Sequence, residues 1–237
     1  MCTVLRHRLP VTLAVLALLV PAGCGAEEEP ADPGSSADPG SSADPGSSAE
    51  NTAVGEPWYD EIIPADADGA AGGADGPCPL PVTFPVAEGW QAETVELDPT
   101  TAEDPELAAG MAARMTLRGG ATVRCEVGRG PGGGFLRVWT TEQGVPPRAA
   151  LDAFLADTSL EQATEAQFRD LTVDDLTGVE ATWVSQNSLD EENRGWGAAV
   201  SANGQALLFV TNESVFTDHS DMLPVYRLAV QGVRTAG

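Results

Sequence analysis

The sequence predicts an α+β domain in its last two thirds, an antiparallel β-sheet of about six to eight strands with a mid-chain helix and a C-terminal helix packed on it. Three observations predict it. Short apolar runs alternate with Gly-, Pro- and Asn-containing turns from Val82 to Thr141 and again from Phe168 to Thr211. Between these two sets the apolar period lengthens, and Ala150, Leu151, Phe154 and Leu155 fall on one side of a helix. The chain closes on Leu223, Tyr226, Ala229, Val230 and Val233, again at helical spacing. The domain is expected over 77–237, a length that suits one hydrophobic core.

Taken in order, Val82–Val86 and Ala92–Leu97 read as strands joined through Gly89-Trp90. The acidic, Pro-containing stretch 98–109 reads as a loop or a marginal helix. Met111–Leu117 and Thr122–Val127 are expected to form a hairpin across Gly119-Gly120, and Phe135–Thr141 follows the glycine-rich loop Gly128–Gly134. Pro146-Pro147 puts proline at the start of the mid-chain helix, where its missing N–H costs nothing. Phe168–Leu176 is extended. In the next strand Val179, Ala181 and Trp183 alternate with Glu180 and Thr182, so one buried face is expected. After the acidic turn Asp190-Glu191-Glu192-Asn193, Gly195–Ser201 and Ala206–Thr211 pair across Asn203-Gly204, a strong hairpin signal. The terminal helix is expected from Met222 to Val233, with Pro224 tolerated in its first turn.

This order resembles a family. Phe84-Pro85 followed by Gly89-Trp90, the mid-chain helix, the strand start Gly178-Val179-Glu180-Ala181 and a late hairpin before a C-terminal helix are similar to the PsbP-like superfamily. That fold is shared by the photosystem extrinsic protein PsbP, the Ran-binding protein Mog and actinobacterial LpqN-type lipoproteins. The resemblance implies the fold, an envelope-lipoprotein grouping and binding or assembly roles. It brings over no catalytic residue.

The N-terminus sets the location. Arg6, His7 and Arg8 precede an apolar run from Leu9 to Val20, too short to span a bilayer comfortably and the right length for a signal-peptide core. Leu19-Val20-Pro21-Ala22-Gly23-Cys24 then looks like a bacterial lipobox, with Pro21 where Leu, Val or Ile is usual. Residues 1–23 are expected to be removed and Cys24 lipidated, which places the protein on the extracytoplasmic face of the cell membrane. An ordinary secretory signal with a chance Cys is the alternative.

Residues 24–76 read as an acidic linker. Ala-Asp-Pro-Gly-Ser-Ser occurs three times, from Ala31, Ala37 and Ala43, with almost nothing apolar to bury against the entropy of ordering. A coil of this length spans roughly 40 Å, enough to lift a domain off the membrane. One island interrupts it, Pro57-Trp58-Tyr59-Asp60-Glu61-Ile62-Ile63-Pro64. Trp58, Tyr59, Ile62 and Ile63 either dock a partner or fold back on the chain's own domain.

All 12 basic residues are Arg, a bias that with abundant Ala, Gly, Pro and Asp suggests a high-GC bacterium; the resemblance to LpqN-type lipoproteins implies an actinobacterial one. Without the signal, ten Arg face 36 acids, a formal −26, so no nucleic-acid partner is expected. Cys78 and Cys125 are the cysteines left after Cys2 and Cys24, and an exported chain should pair them in a disulfide.

No catalytic, cofactor or metal site is expected. His219 is the sole histidine after the signal, and in Asp218-His219-Ser220-Asp221 it reads as a polar lead into the last helix, with Asp221 capping it. Asp190–Asn193 and Asp174-Asp175 gather oxygen ligands without the spacing of a calcium loop. The loop Gly128–Gly134 lacks the Lys and helix of a phosphate loop and reads as a hairpin tip. Trp90, Trp139, Trp183 and Trp196 are expected in the core, Trp196 being the one most suited to sugar stacking. The expected role is a non-enzymatic, lipid-anchored binding or assembly protein for an envelope protein or a small ligand. Two alternatives are a wall-glycan or ester hydrolase working through carboxylates, and a structural surface protein.

Overall fold

The computed structural model describes residues 57–58, 60–97, 100, 103–130, 133–159, 162–186, 192–212 and 219–237. The lipobox with Cys24, the repeats, Tyr59, and Asp190 and Glu191 of the acidic turn lie outside them.

In chain order the described strands begin with β1 (Ala67–Gly73), β2 (Leu80–Ala87) and β3 (Gln91–Thr94). Helix α1 (Pro105–Thr116) leads into β4 (Leu117–Arg118), β5 (Ala121–Gly128) and β6 (Phe135–Gln143). Helix α2 (Pro147–Ala156) is followed by β7 (Ala163–Val173), β8 (Leu176–Gln186), β9 (Glu192–Ala202) and β10 (Gln205–Asn212). A 3₁₀ turn, His219–Met222, precedes α3 (Leu223–Gln231), and β11 (Arg234–Thr235) ends the chain. Every strand pair is antiparallel. The large sheet runs β3-β5-β6-β10-β9-β8-β7, with β4 also on β5, and a small sheet runs β1-β2-β11. The fold is therefore α+β.

The large sheet has a core on each face. On one side Ala121, Val123, Trp139, Ala181, Trp183, Leu208 and Val210 pack with Ala150, Leu151, Phe154 and Leu155 of α2, all four of the residues that the periodicity assigned to its inner side. On the other side Cys125, Val127, Leu136, Trp196, Val200 and Phe209 meet Val82 and Phe84 of the small sheet and Tyr226, Ala229 and Val230 of α3. Strand β5 serves both cores. A bulge between Val123 and Cys125 shifts its register, so Ala121 and Val123 face α2 whereas Cys125 and Val127, at the same parity, face the small sheet.

Four expectations change. The folded body begins before residue 77, because β1 pairs with β2. Its sequence, Ala-Asp-Gly-Ala-Ala-Gly-Gly, has no strand propensity, but a Cβ on Gly72 would meet the Val82 carbonyl oxygen at 2.0 Å, so close approach excludes larger residues. Met111–Thr116 is helix rather than strand: Asp104 Oδ1 accepts the Leu107 N–H at 3.1 Å, Pro105 opens the first turn, and an Ala-rich run follows. In β8 both faces are buried, Glu180 and Thr182 included, since α3 covers one and α2 the other. Asp221 does not cap α3. It lies in the 3₁₀ turn, and Met222 stands before the helix without a side-chain cap.

Candidate functional site

The segment carrying the aromatic island docks in cis. Trp58 stacks under Arg169 of β7, whose guanidinium carbon lies 4.3 Å from the ring centroid. The same guanidinium donates to both oxygens of Asp60 at 2.8 and 2.9 Å, and to Glu180 at 2.6 Å. The Tyr226 hydroxyl donates to the second Glu180 oxygen at 2.9 Å. Trp196 Nε1 donates to the Pro57 carbonyl at 3.1 Å, and the Ala65 N–H to that of Pro224 at 2.9 Å. Through Pro57, Trp58, Asp60 and Ala65 the segment thus clamps β7, β9 and α3.

Charge and burial in this clamp are matched. The hydrogen bonds from Arg169 hold the Asp60 carboxyl below its ordinary range, with Arg227 adding to the effect. Burial works against the charge on Arg169, but the Asp60 and Glu180 carboxylates outweigh it and push its pKa up. Burial, with the Glu180 charge beside it, drives Tyr226 well above an ordinary phenol. Of the candidate partner contacts, Trp58 and Ile62 are engaged by the domain itself, whereas Ile63 is 81% exposed. Trp196 is buried beneath this segment and has no face for a sugar.

Cys78 and Cys125 form the expected disulfide, with Cα atoms 5.3 Å apart. It joins the chain just ahead of β2 to β5 of the large sheet. Trp139 and Trp183 lie in the core on the α2 side. Asp174-Asp175 is the β7–β8 turn, and Asp175 accepts from Thr235 Oγ1 at 3.3 Å. Among the described residues no group of three or more His, Cys, Asp or Glu is placed to hold a metal ion.

An open cleft of about 660 Å³ lies where β3, β5 and β6 meet the glycine-rich hairpin tip. Gln91, Glu93, Glu126, Arg129 and Phe135 line it with glycine backbone. Glu93 and Glu126 sit directly opposite on β3 and β5, an arrangement that like charges disfavour unless a cation intervenes. Arg137 on β6 supplies one, donating through two nitrogens to Glu126 Oε2 at 3.0 and 2.8 Å. Its guanidinium also covers Phe135 at 4.5 Å, and Arg129 covers Trp90 at 5.3 Å. The lining is thus the Phe135 ring and the Arg129 side chain beside a carboxylate pair. Sequence reading missed it because the three strands converge only through sheet register.

Residues 48–233 match the model of a family described as uncharacterised lipoproteins. The chain belongs to this lipoprotein family. Such membership places it at a membrane or in the cell envelope. No curated protein matches the lipoprotein. Among solved structures it is similar to the cyanobacterial PsbP protein CyanoP from Synechocystis, with 12% identity, 65% of this chain and 86% of that chain covered, and a TM-score of 0.38.

Proposed function

We propose that this lipoprotein is anchored through Cys24 on the extracytoplasmic face of the membrane and is a non-catalytic binding protein, whose ligand enters the cleft at the β3–β5–β6 end. The observation that carries the reading is the Arg137–Glu126 pair. A carboxylate held by two guanidinium nitrogens is fixed in place and orientation, which suits recognition. The Phe135 ring on the cleft wall stands beside polar groups, Arg129 and the carboxylate pair among them, a composition that suits a ligand site.

The same residues favour one rival reading, a carboxylate hydrolase, because Glu93 lies opposite Glu126 on the cleft wall. One titration separates the two. An amino-sugar oligosaccharide such as chitotetraose, added to the mature chain, should change tryptophan fluorescence in a saturable way that Arg129→Ala weakens several-fold, with no reducing ends released. Release that Glu93→Gln abolishes would make the protein a hydrolase. No response at all would remove glycans of this type as ligands and overturn the cleft reading for them. Labelled palmitate should enter the wild-type chain and not Cys24→Ser; label in both would refute the anchor.

A further inference from the structure

Helix α1 has no buried residue. It is held by local signals alone, and it leaves Leu107, Met111 and Met115 exposed by 63, 56 and 48%, with Leu117 beyond its end at 49%. Spacing of four puts the first three on one stripe along the helix. A monomer gains nothing from such a stripe, and side chains of this kind are otherwise placed in cores.

We infer that α1 pairs with α1 of a second copy, antiparallel about a two-fold axis through Met111. The stripe is symmetric about that residue, so each Leu107 faces the other copy's Met115 and the two Met111 meet. An isologous contact must be self-complementary, and the charges here are. Glu103, Asp104 and Glu106 lie at the N-terminal end, and Arg114 lies in the last turn. Arg114 makes no salt bridge among the described residues. Antiparallel pairing sets each Arg114 level with Ala108 of the other copy, within about one helical turn of Asp104 and Glu106, and aligns the helix dipoles favourably.

Size fixes the character of the contact. Three side chains of this type bury on the order of 100 Å² each per copy, so roughly 600 Å² in total, below the 1,200 Å² or so of a stable complex. The contact is weak in solution. It forms where the copies are concentrated, as they are when lipoproteins share one membrane.

Cysteine cross-linking on membranes from cells making the full chain tests this. Met111→Cys should give a disulfide-linked homodimer under mild oxidation, at least five-fold more than Ala109→Cys on the opposite side of the helix. Arg114→Glu in the Met111→Cys chain should cut the yield, and adding Glu106→Arg should restore it. Because α1 buries no side chain, these substitutions leave the core intact, which a melting curve checks. Equal yields from Met111→Cys and Ala109→Cys would mean random collision and overturn the pairing. A Met111→Cys product linked only to another protein, or no product at all, would overturn it as well.

Discussion

Breaking the Cys78–Cys125 disulfide should cost about 4 kcal/mol. The two cysteines are 47 residues apart, and the loop-entropy relation for a loop of that size gives about 13.6 cal/mol/K, hence about 4 kcal/mol at 25 °C. The native state loses little on reduction, because both sulfurs are already buried in one core and each thiol can stay where it is. The penalty therefore lies in the unfolded chain, which gains the freedom of a loop containing β2, β3, α1 and β4. For a domain of this size 1 kcal/mol moves the melting temperature by about 2–4 °C, so a fall of about 8–16 °C is expected. Calorimetry of the mature chain with and without a reductant measures it, and Cys78→Ala with Cys125→Ala should reproduce it. Urea unfolding of the reduced form should show a steeper denaturant slope, since the unlinked chain exposes more surface. A fall of less than about 3 °C would refute the reasoning, and would show that the folded body holds its small sheet on the large one without the covalent link.

Other outcomes follow from the clamp and the α2 end. Deleting residues 57–64 should lower domain stability by about 1–2 kcal/mol, the worth of a half-exposed ion pair, a cation–π contact and one hydrogen bond after the entropy of ordering is subtracted; no change in urea midpoint would show that the island is idle in cis. Tyr226→Phe should cost about 1–2 kcal/mol by removing a buried donor to Glu180, and a neutral result would mean the pair is not formed. Asp157, which accepts from the Ser159 hydroxyl and from the N–H groups of Gly119 and Ser159, has its carboxyl lowered to about 2. A lowered carboxyl stabilises the fold above its unfolded value near 4 and loses that contribution as pH falls toward 2. Solvent screening leaves about 1 kcal/mol of it. The stability gap between wild type and Asp157→Asn should therefore close between about pH 4 and pH 2, and a gap independent of pH would count against these bonds.

What could be read from the residues was whatever announces itself locally. The α2 stripe, the Asn203-Gly204 hairpin, with both turn residues at positive φ as that turn demands, and the terminal helix all carry their own signals. Helix α1 also does, in Asp104-Pro105, but with no buried face its Met and Leu spacing over 111–117 reads equally as a strand. Strands β1 and β11 were hidden for a different reason. They exist because β2 offers them a free edge, and β1 is composed of the small residues that this close approach demands. Gly178 belongs to the same class, since a Cβ there would meet the Ala199 carbonyl oxygen at 1.9 Å. The cleft needs the register of three strands, and the clamp joins residues 109 apart in the chain, Asp60 and Arg169. Neither is legible in a single stretch.

The placement of the clamp and the disulfide makes mechanical sense for a domain suspended by its N-terminus. If the chain hangs from Cys24, any pull reaches the domain at Pro57, whose carbonyl is held by Trp196, and next at Asp60, held by Arg169. Past these, the pull reaches β1, whose pairing with β2 is the next set of bonds in its path. Beyond β1 it would meet Cys78, tied covalently to β5 in the middle of the large sheet. The bulge in β5 is what makes this stop: without the register shift before Cys125, its side chain would face α2, on the wrong side of the sheet to reach Cys78. The extra residue at Arg124 and the glycines of β1 are thus parts of one arrangement, in which an edge strand that can yield is backed by a bond that cannot.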